Sequence, residues 1–160
     1  MRGVVLAGGC ATDSWPTAPT ASAPPKTLLA VHDQPMIYHP LSLLLLAGIR
    51  HILIIATPRD MPHFQRCLGG GARWGINLSY GLQPATGGPV RALIMASEFT
   101  GDRSVALALG DHIFYGKPLP ATLRSAATLK KGARLLAHPG TQAHPSPGGV
   151  VSLDDRGNPV

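Results

Sequence analysis

A chain of 160 residues favours one compact domain spanning 1–160, and a hydrophobic content of 44% is enough for a core and excludes disorder throughout. Aromatic residues make up only 5%, so that core must rest on Leu, Ile, Val and Ala. The net charge of +6 would suit an anionic partner. However, the densest basic group, Lys130, Lys131 and Arg134, has no interleaved aromatics and reads as a solvated helix end rather than a nucleic-acid surface.

Gly3 to Leu6 is a short apolar run ended by Ala7-Gly8-Gly9, the pattern of a buried strand entering a loop. Residues 10–25 are rich in Ala, Thr, Ser and Pro and lack periodicity, which predicts a flexible loop. Lys26 to Val31 reads as a short extended segment. Pro35 to Gly48 reads as a well-buried helix, with Pro35 suited to a first position, Gly48 to a C-terminal cap, and Pro40 marking a kink or the true start. His51 to Ala56 is a second buried strand, Asp60 caps a helix over Met61–Leu68, and Gly69-Gly70-Gly71 ends it. Ile76 to Leu82 alternates like a strand. Pro89 to Glu98 reads as a helix with Val90, Leu93, Ile94 and Ser97 on one side. Ser104 to Leu109 is a third buried strand, Leu119 to Leu129 a helix and Ala133 to Ala137 a strand. A Pro/Gly loop over Pro139–Gly149 and a short strand over Val150–Leu153 complete the chain.

Strands alternating with helices predict right-handed βαβ units: a Rossmann-like three-layer α/β sandwich with a mostly parallel sheet. Ligands of such sheets sit beyond the carboxyl ends of the strands, where the loops after Leu6 and Leu109 fall. Cys10 and Cys67 form no C-x-x-C and no secretory signal precedes them, which fits a reduced, cytoplasmic protein. The apolar run Leu43–Ala56 is broken by Arg50 and His51 and is too short for a membrane span of about 20 residues, so no membrane partner is expected.

Several strings point one way when read in order. Leu6-Ala7-Gly8-Gly9 is followed by Lys26-x-Leu28-Leu29 and by Asp33-Gln34-Pro35-Met36-Ile37-Tyr38. Ala47-Gly48-Ile49-Arg50, Leu53-Ile54-Ile55, Gln83-Pro84 with Gly88, and Leu109-Gly110-Asp111-His112-Ile113-Phe114-Tyr115-Gly116 come next. Together they resemble the sugar-1-phosphate nucleotidyltransferases, most nearly the glucose-1-phosphate thymidylyltransferase branch, over nearly the whole chain. The resemblance implies coupling of a nucleoside triphosphate to a sugar phosphate with release of pyrophosphate, and Mg²⁺ if that chemistry persists. It further implies that Leu6, Ala7, Gly8 and Gly9 line the nucleotide, that Lys26 contacts phosphate, that Gln83 and Gly88 contact the base, and that Asp111 helps hold the metal.

The chain departs from the family loop L-A-G-G-x-G-T-R-L-x-P at informative places. The glycine is Ala11, which strains a backbone needing positive φ. The arginine is Asp13, and at ~5 Å with an effective dielectric of about 20 to 80 each such charge pair is worth roughly 1–3 kcal/mol, here with the wrong sign. Ser14 replaces a leucine, Thr27 replaces the glutamine after the lysine, and His112 replaces the asparagine after the aspartate. The family strand ending in Glu-Lys-Pro would begin near Val160, so the second metal-binding aspartate and the rest of the sugar domain are not expected within these residues.

The site residues therefore carry alternatives. Lys26 is a phosphate ligand or a surface lysine, Asp13 a new acid–base group or a solvated aspartate, and His112 a general acid or base or a structural histidine. His138 and His144 lack a third ligand of convincing spacing. Three functions follow: a homologue that has lost nucleotidyl transfer and serves small-molecule biosynthesis through Lys26, Asp111, Asp13 and His112; a working thymidylyltransferase; or a nucleotide-binding or oligomerisation module. A small-molecule ligand and a homo-oligomer are expected in each.

Overall fold

The computed structural model describes residues 1–8, 24–84, 88–136, 151–152 and 154–155. The chain divides into two compact units, Met1–Thr128 and Leu129–Val160. The first contains a four-stranded parallel sheet of β1 (Arg2–Leu6), β4 (His51–Ala56), β5 (Asn77–Leu82) and β6 (Val105–Leu109), in the order β5-β4-β1-β6. Val4 sits opposite Leu53 on one side and Leu107 on the other, so β1 is central.

The apolar runs of β1 and β4 have the unbroken character of strands covered on both faces. Alternate residues divide between two clusters. Val5, Ile52, Ile54 and Ala56 pack with Ile37, Leu41, Leu44, Met61, Phe64 and Leu68 on one face. Val4, Leu53 and Ile55 pack with Ala92 and Ala96 on the other. Helices thus lie on both faces, giving the expected three-layer α/β architecture with a mostly parallel sheet. At the β6 edge the strand is only half-buried, against the expectation of a third fully buried strand, because it has a neighbour on one side alone among the described residues.

Local chemistry moved several boundaries. The segment after Pro25 forms a 3₁₀ turn over Lys26–Leu28 before a two-residue hairpin, β2 (Ala30–Val31) with β3 (Gln34–Pro35). Pro35 therefore lies in a strand, and helix α1 covers Tyr38–Leu46. Pro40 falls in its first turn, where the missing N–H has no intrahelical acceptor to lose. Strand β4 and helix α2 (Met61–Leu68) fall where the sequence places them. The Asp60 side chain does not cap α2, because it instead accepts from the Thr57 hydroxyl at 2.9 Å.

The run read as one helix from Pro89 is two, α3 (Gly88–Met95) and α4 (Ser97–Thr100). Its sheet-facing residues are the small Ala92 and Ala96, whereas Val90 and Ile94 are 72% and 67% exposed. Close helix–sheet approach here selects alanine over the larger apolar residues. Helix α5 (Leu119–Ala127) ends two residues before the expected limit and lies beside α1.

In the second unit, residues 133–136 are exposed and irregular, not a strand, as no strand lies beside them among the described residues to supply a ladder. Residues 151–152 are likewise not strand. The expected loops over 10–23 and 139–149 lie outside the described residues. Among the described residues no helix is long and apolar enough to cross a membrane.

Phe64 is fully buried against the strands through α2. Phe64→Ala should cost about 3–5 kcal/mol, read as a lower midpoint in urea denaturation with an unchanged slope.

Candidate functional site

Because the four strands of the sheet are parallel, their carboxyl ends meet one edge. Beyond those ends come Ala7-Gly8 after β1, Thr57 after β4, Gln83 after β5 and Gly110-Asp111 after β6. Backbone hydrogen bonds continue past the strands: Ala7 N to Ile55 O at 2.8 Å, Gln83 N to Ala56 O at 2.9 Å, and Gly110 N to Leu6 O at 2.8 Å. A Cβ on Gly8 would stand 2.8 Å from Thr57 N, and one on Gly110 would stand 2.9 Å from Leu6 O. Both contacts are with backbone that cannot swing away, so each position requires glycine. The loops after β1 and β6 therefore leave the sheet close together.

Lys26 reaches this edge from its 3₁₀ turn. Its Nζ is 3.4 Å from Asp111 Oδ2, and His112 Nε2 is 3.9 Å from the other carboxylate oxygen. The Asp111 side chain is 13% exposed and that of Lys26 is 44% exposed, so the pair is a solvent-screened one worth at most about 1 kcal/mol. His112 also stands edge-on to Phe114. Lys26, Asp111 and His112, named separately from sequence, thus form one cluster.

Gln83 is 2% exposed, yet neither its amide nitrogen nor its amide oxygen has a hydrogen-bond partner. An amide left so costs about 1–3 kcal/mol per unsatisfied group. It follows β5, three strand positions from β6, so about 14 Å of sheet edge, at about 4.8 Å per strand, separates it from the Lys26 cluster. Gly88 opens α3 and is exposed, while Leu6 closes β1 and Ala7 is buried behind it. Gly9, Ala11, Asp13, His138 and His144 lie outside the described residues. No group of three or more His, Cys, Asp or Glu suited to a metal occurs among the described residues.

Two edge residues were not singled out for a role from sequence. Thr57 accepts from the Asp60 backbone at 3.2 Å and packs against Gly8. Thr27, noted only as a departure from the family glutamine, donates to Ala7 O at 3.0 Å from a buried position. A lone threonine gives no sequence signal of either contact.

A family model described as nucleotidyl transferase matches residues 2–159. The chain belongs to the nucleotidyl transferase family. It is 45% identical over 158 residues to a glucose-1-phosphate thymidylyltransferase of Neisseria gonorrhoeae, covering 99% of this chain and 53% of that one. A relative of the same name in Mycolicibacterium smegmatis is 45% identical over 160 residues, covering 100% of this chain and 54% of that one. A solved structure from Bacillus anthracis, named as a glucose-1-phosphate thymidylyltransferase in complex with sucrose, superposes with a TM-score of 0.67 at 32% identity. It covers 76% of this chain and 48% of that one. The chain spans about half the length of the curated relatives it matches.

For this nucleotidyl transferase chain, Gly8→Ala should destabilise by about 1–3 kcal/mol, since the added methyl meets the Thr57 backbone rather than a movable side chain. Thermal denaturation of the pure protein measures it, and an unchanged midpoint would contradict the close approach of β1 and β4 beyond their ends.

Proposed function

We propose that the chain binds a thymidine nucleotide along the carboxyl edge of its sheet, as the nucleotide-binding part of a glucose-1-phosphate thymidylyltransferase. Gln83 carries this reading: a buried amide with both donor and acceptor unpartnered suits the complementary donor and acceptor of a thymine edge. Gly88, at the start of α3, contacts the same base. A base at Gln83 directs the phosphates along the edge, past Ala7 and Gly8, toward Lys26.

In the family's transfer, a sugar-phosphate oxygen attacks the α-phosphorus and pyrophosphate leaves. Lys26 offsets phosphate charge by exchanging its contact with Asp111 for one with the nucleotide. Asp111 is a single carboxylate, so the donors described fit a Mg²⁺ ion delivered with the phosphates rather than one caged by protein alone. Bound there, Mg²⁺ supplies further charge neutralisation. His112, beside Asp111, is placed to hold or move a proton at Nε2.

A second reading rests on Ala11 and Asp13. An anion in place of the family arginine opposes triphosphate binding, which favours a protein that has lost nucleotidyl transfer. The old pocket then serves another ligand or reaction in small-molecule biosynthesis, with Asp13, Lys26, Asp111 and His112 as its polar groups. A non-catalytic binding module is its limiting case. Both readings describe a cytoplasmic protein, supported by the free thiol of Cys67. Both also describe a homo-oligomer, supported by the one-sided pairing of β6 among the described residues and tested by light scattering.

Pyrophosphate release from thymidine triphosphate and glucose 1-phosphate with Mg²⁺ separates the readings. Turnover that falls about 100-fold or more in Lys26→Ala supports the transferase; nucleotide binding without turnover supports the non-catalytic module, and no nucleotide binding supports a pocket given over to another ligand. Gln83→Leu gives an independent check. It should raise stability by about 1–3 kcal/mol, because it removes two unsatisfied buried groups, while lowering thymidine affinity about tenfold or more. A substitution that leaves thymidine affinity unchanged sinks the assignment of Gln83 to the base.

A further inference from the structure

Thr27 stands between the two segments that carry the charged pair. It is 3% exposed, and its hydroxyl donates to Ala7 O just beyond β1. Its methyl lies where a Cβ on Gly110 would come within 3.1 Å, so it packs on the residue immediately before Asp111. Its carbonyl accepts from Ile37 N at 2.8 Å, at the entry to α1. One small side chain therefore contacts the ends of β1 and β6 while its own backbone carries Lys26 one residue away.

Lysine is a flexible point charge, so where its ammonium can reach is set chiefly by where its Cα is held. A hydroxyl acting only as a space-filler would be better replaced by a methyl group, yet here it ties the Lys26–Leu28 turn to β1. The methyl is one of three groups that crowd Gly110, beside Leu6 O and Ala7 Cα, whereas the hydroxyl supplies the hydrogen bond to Ala7 O.

We infer that Thr27 is a positioning residue that fixes Lys26 opposite Asp111 by clamping the Lys26–Leu28 turn to the carboxyl ends of β1 and β6. This rests on the reading of that edge as a nucleotide site. Thr27 itself does not touch the ligand; it acts through Lys26, and so it governs the phosphates and not the base.

The test uses the full chain and its Thr27→Val and Thr27→Ser variants, titrated calorimetrically with thymidine and with thymidine triphosphate at two salt concentrations. Thr27→Val should leave thymidine affinity unchanged, weaken the triphosphate about 5–10-fold, and reduce the salt dependence of triphosphate binding. Thr27→Ser, which keeps the hydroxyl, should restore the triphosphate to within about twofold of the parent. Should Thr27→Val fail to fold, Thr27→Ala removes the same hydroxyl without adding bulk and carries the same comparison. Equal losses for both ligands without rescue by serine, or an unchanged triphosphate affinity, overturn the positioning role while leaving the nucleotide reading intact. A parent chain that binds neither ligand overturns both.

Discussion

The pairing of β1 with β4 on one side and β6 on the other brings three strand ends within one backbone layer. Everything at the candidate site depends on how closely the chain can approach itself there. Gly8 lies against the Thr57 backbone and Gly110 against that of Leu6, at distances a Cβ would not allow. If either loop bowed outward, Asp111 would separate from the Lys26 turn and Ala7 O would leave the Thr27 hydroxyl. The site is therefore an outcome of sheet geometry first and of side-chain chemistry second. Gly8 and Gly110 therefore matter first for the close approach of the chain to itself.

Much of this was legible in the residues. The unbroken apolar runs of β1 and β4 read as buried strands, and glycine after the runs ending at Leu6 and Leu109 points to the ligand edge of a parallel sheet. Lys26, Asp111 and Gln83 could be named because they stand in ordered strings. What the residues did not show is tertiary. Nothing local reveals that the alanines, not Val90 and Ile94, face the sheet from α3 and the turn after it; the choice is made by how close the helix must come. Nor does proline's suitability for a first helical position place Pro35 in a helix when residues 30–31 lie antiparallel to it. The pairing of Thr27 with Ala7 joins residues 20 positions apart, and no periodicity encodes it.

The family's charge arrangement is divided by this chain into a kept part and an altered part. Lys26 and Asp111 keep a cation and a carboxylate at the edge and hold each other at 3.4 Å. Each of these two charges is partly offset by the other. The contact is weak, and on the proposed reading that weakness lets Lys26 exchange it for a charge-assisted bond to a phosphate. Ala11 and Asp13 alter the preceding loop, where the family places glycine and arginine. The kept pair suits anion binding, whereas an anion in place of the family arginine opposes tight triphosphate binding. On the proposed reading the balance is one of magnitude: an anion ~5 Å from a phosphate opposes by roughly 1–3 kcal/mol, comparable to what one charge-assisted bond from Lys26 returns. On that reading, base recognition decides whether a nucleotide binds.

That places unusual weight on Gln83. A buried amide without partners is a cost to folding, and the chain carries it at the one strand end farthest from the charged cluster. Replacing it with an apolar residue would relieve that cost, so stability alone gives no reason for a glutamine there. On the proposed reading a ligand does: it gains the hydrogen bonds that the buried amide lacks, and an analogue unable to make them is rejected by the same desolvation. On the proposed reading, selectivity for the base arises from a folding penalty at the end of β5, while Lys26 and Asp111, at the other end of the edge, act on charge.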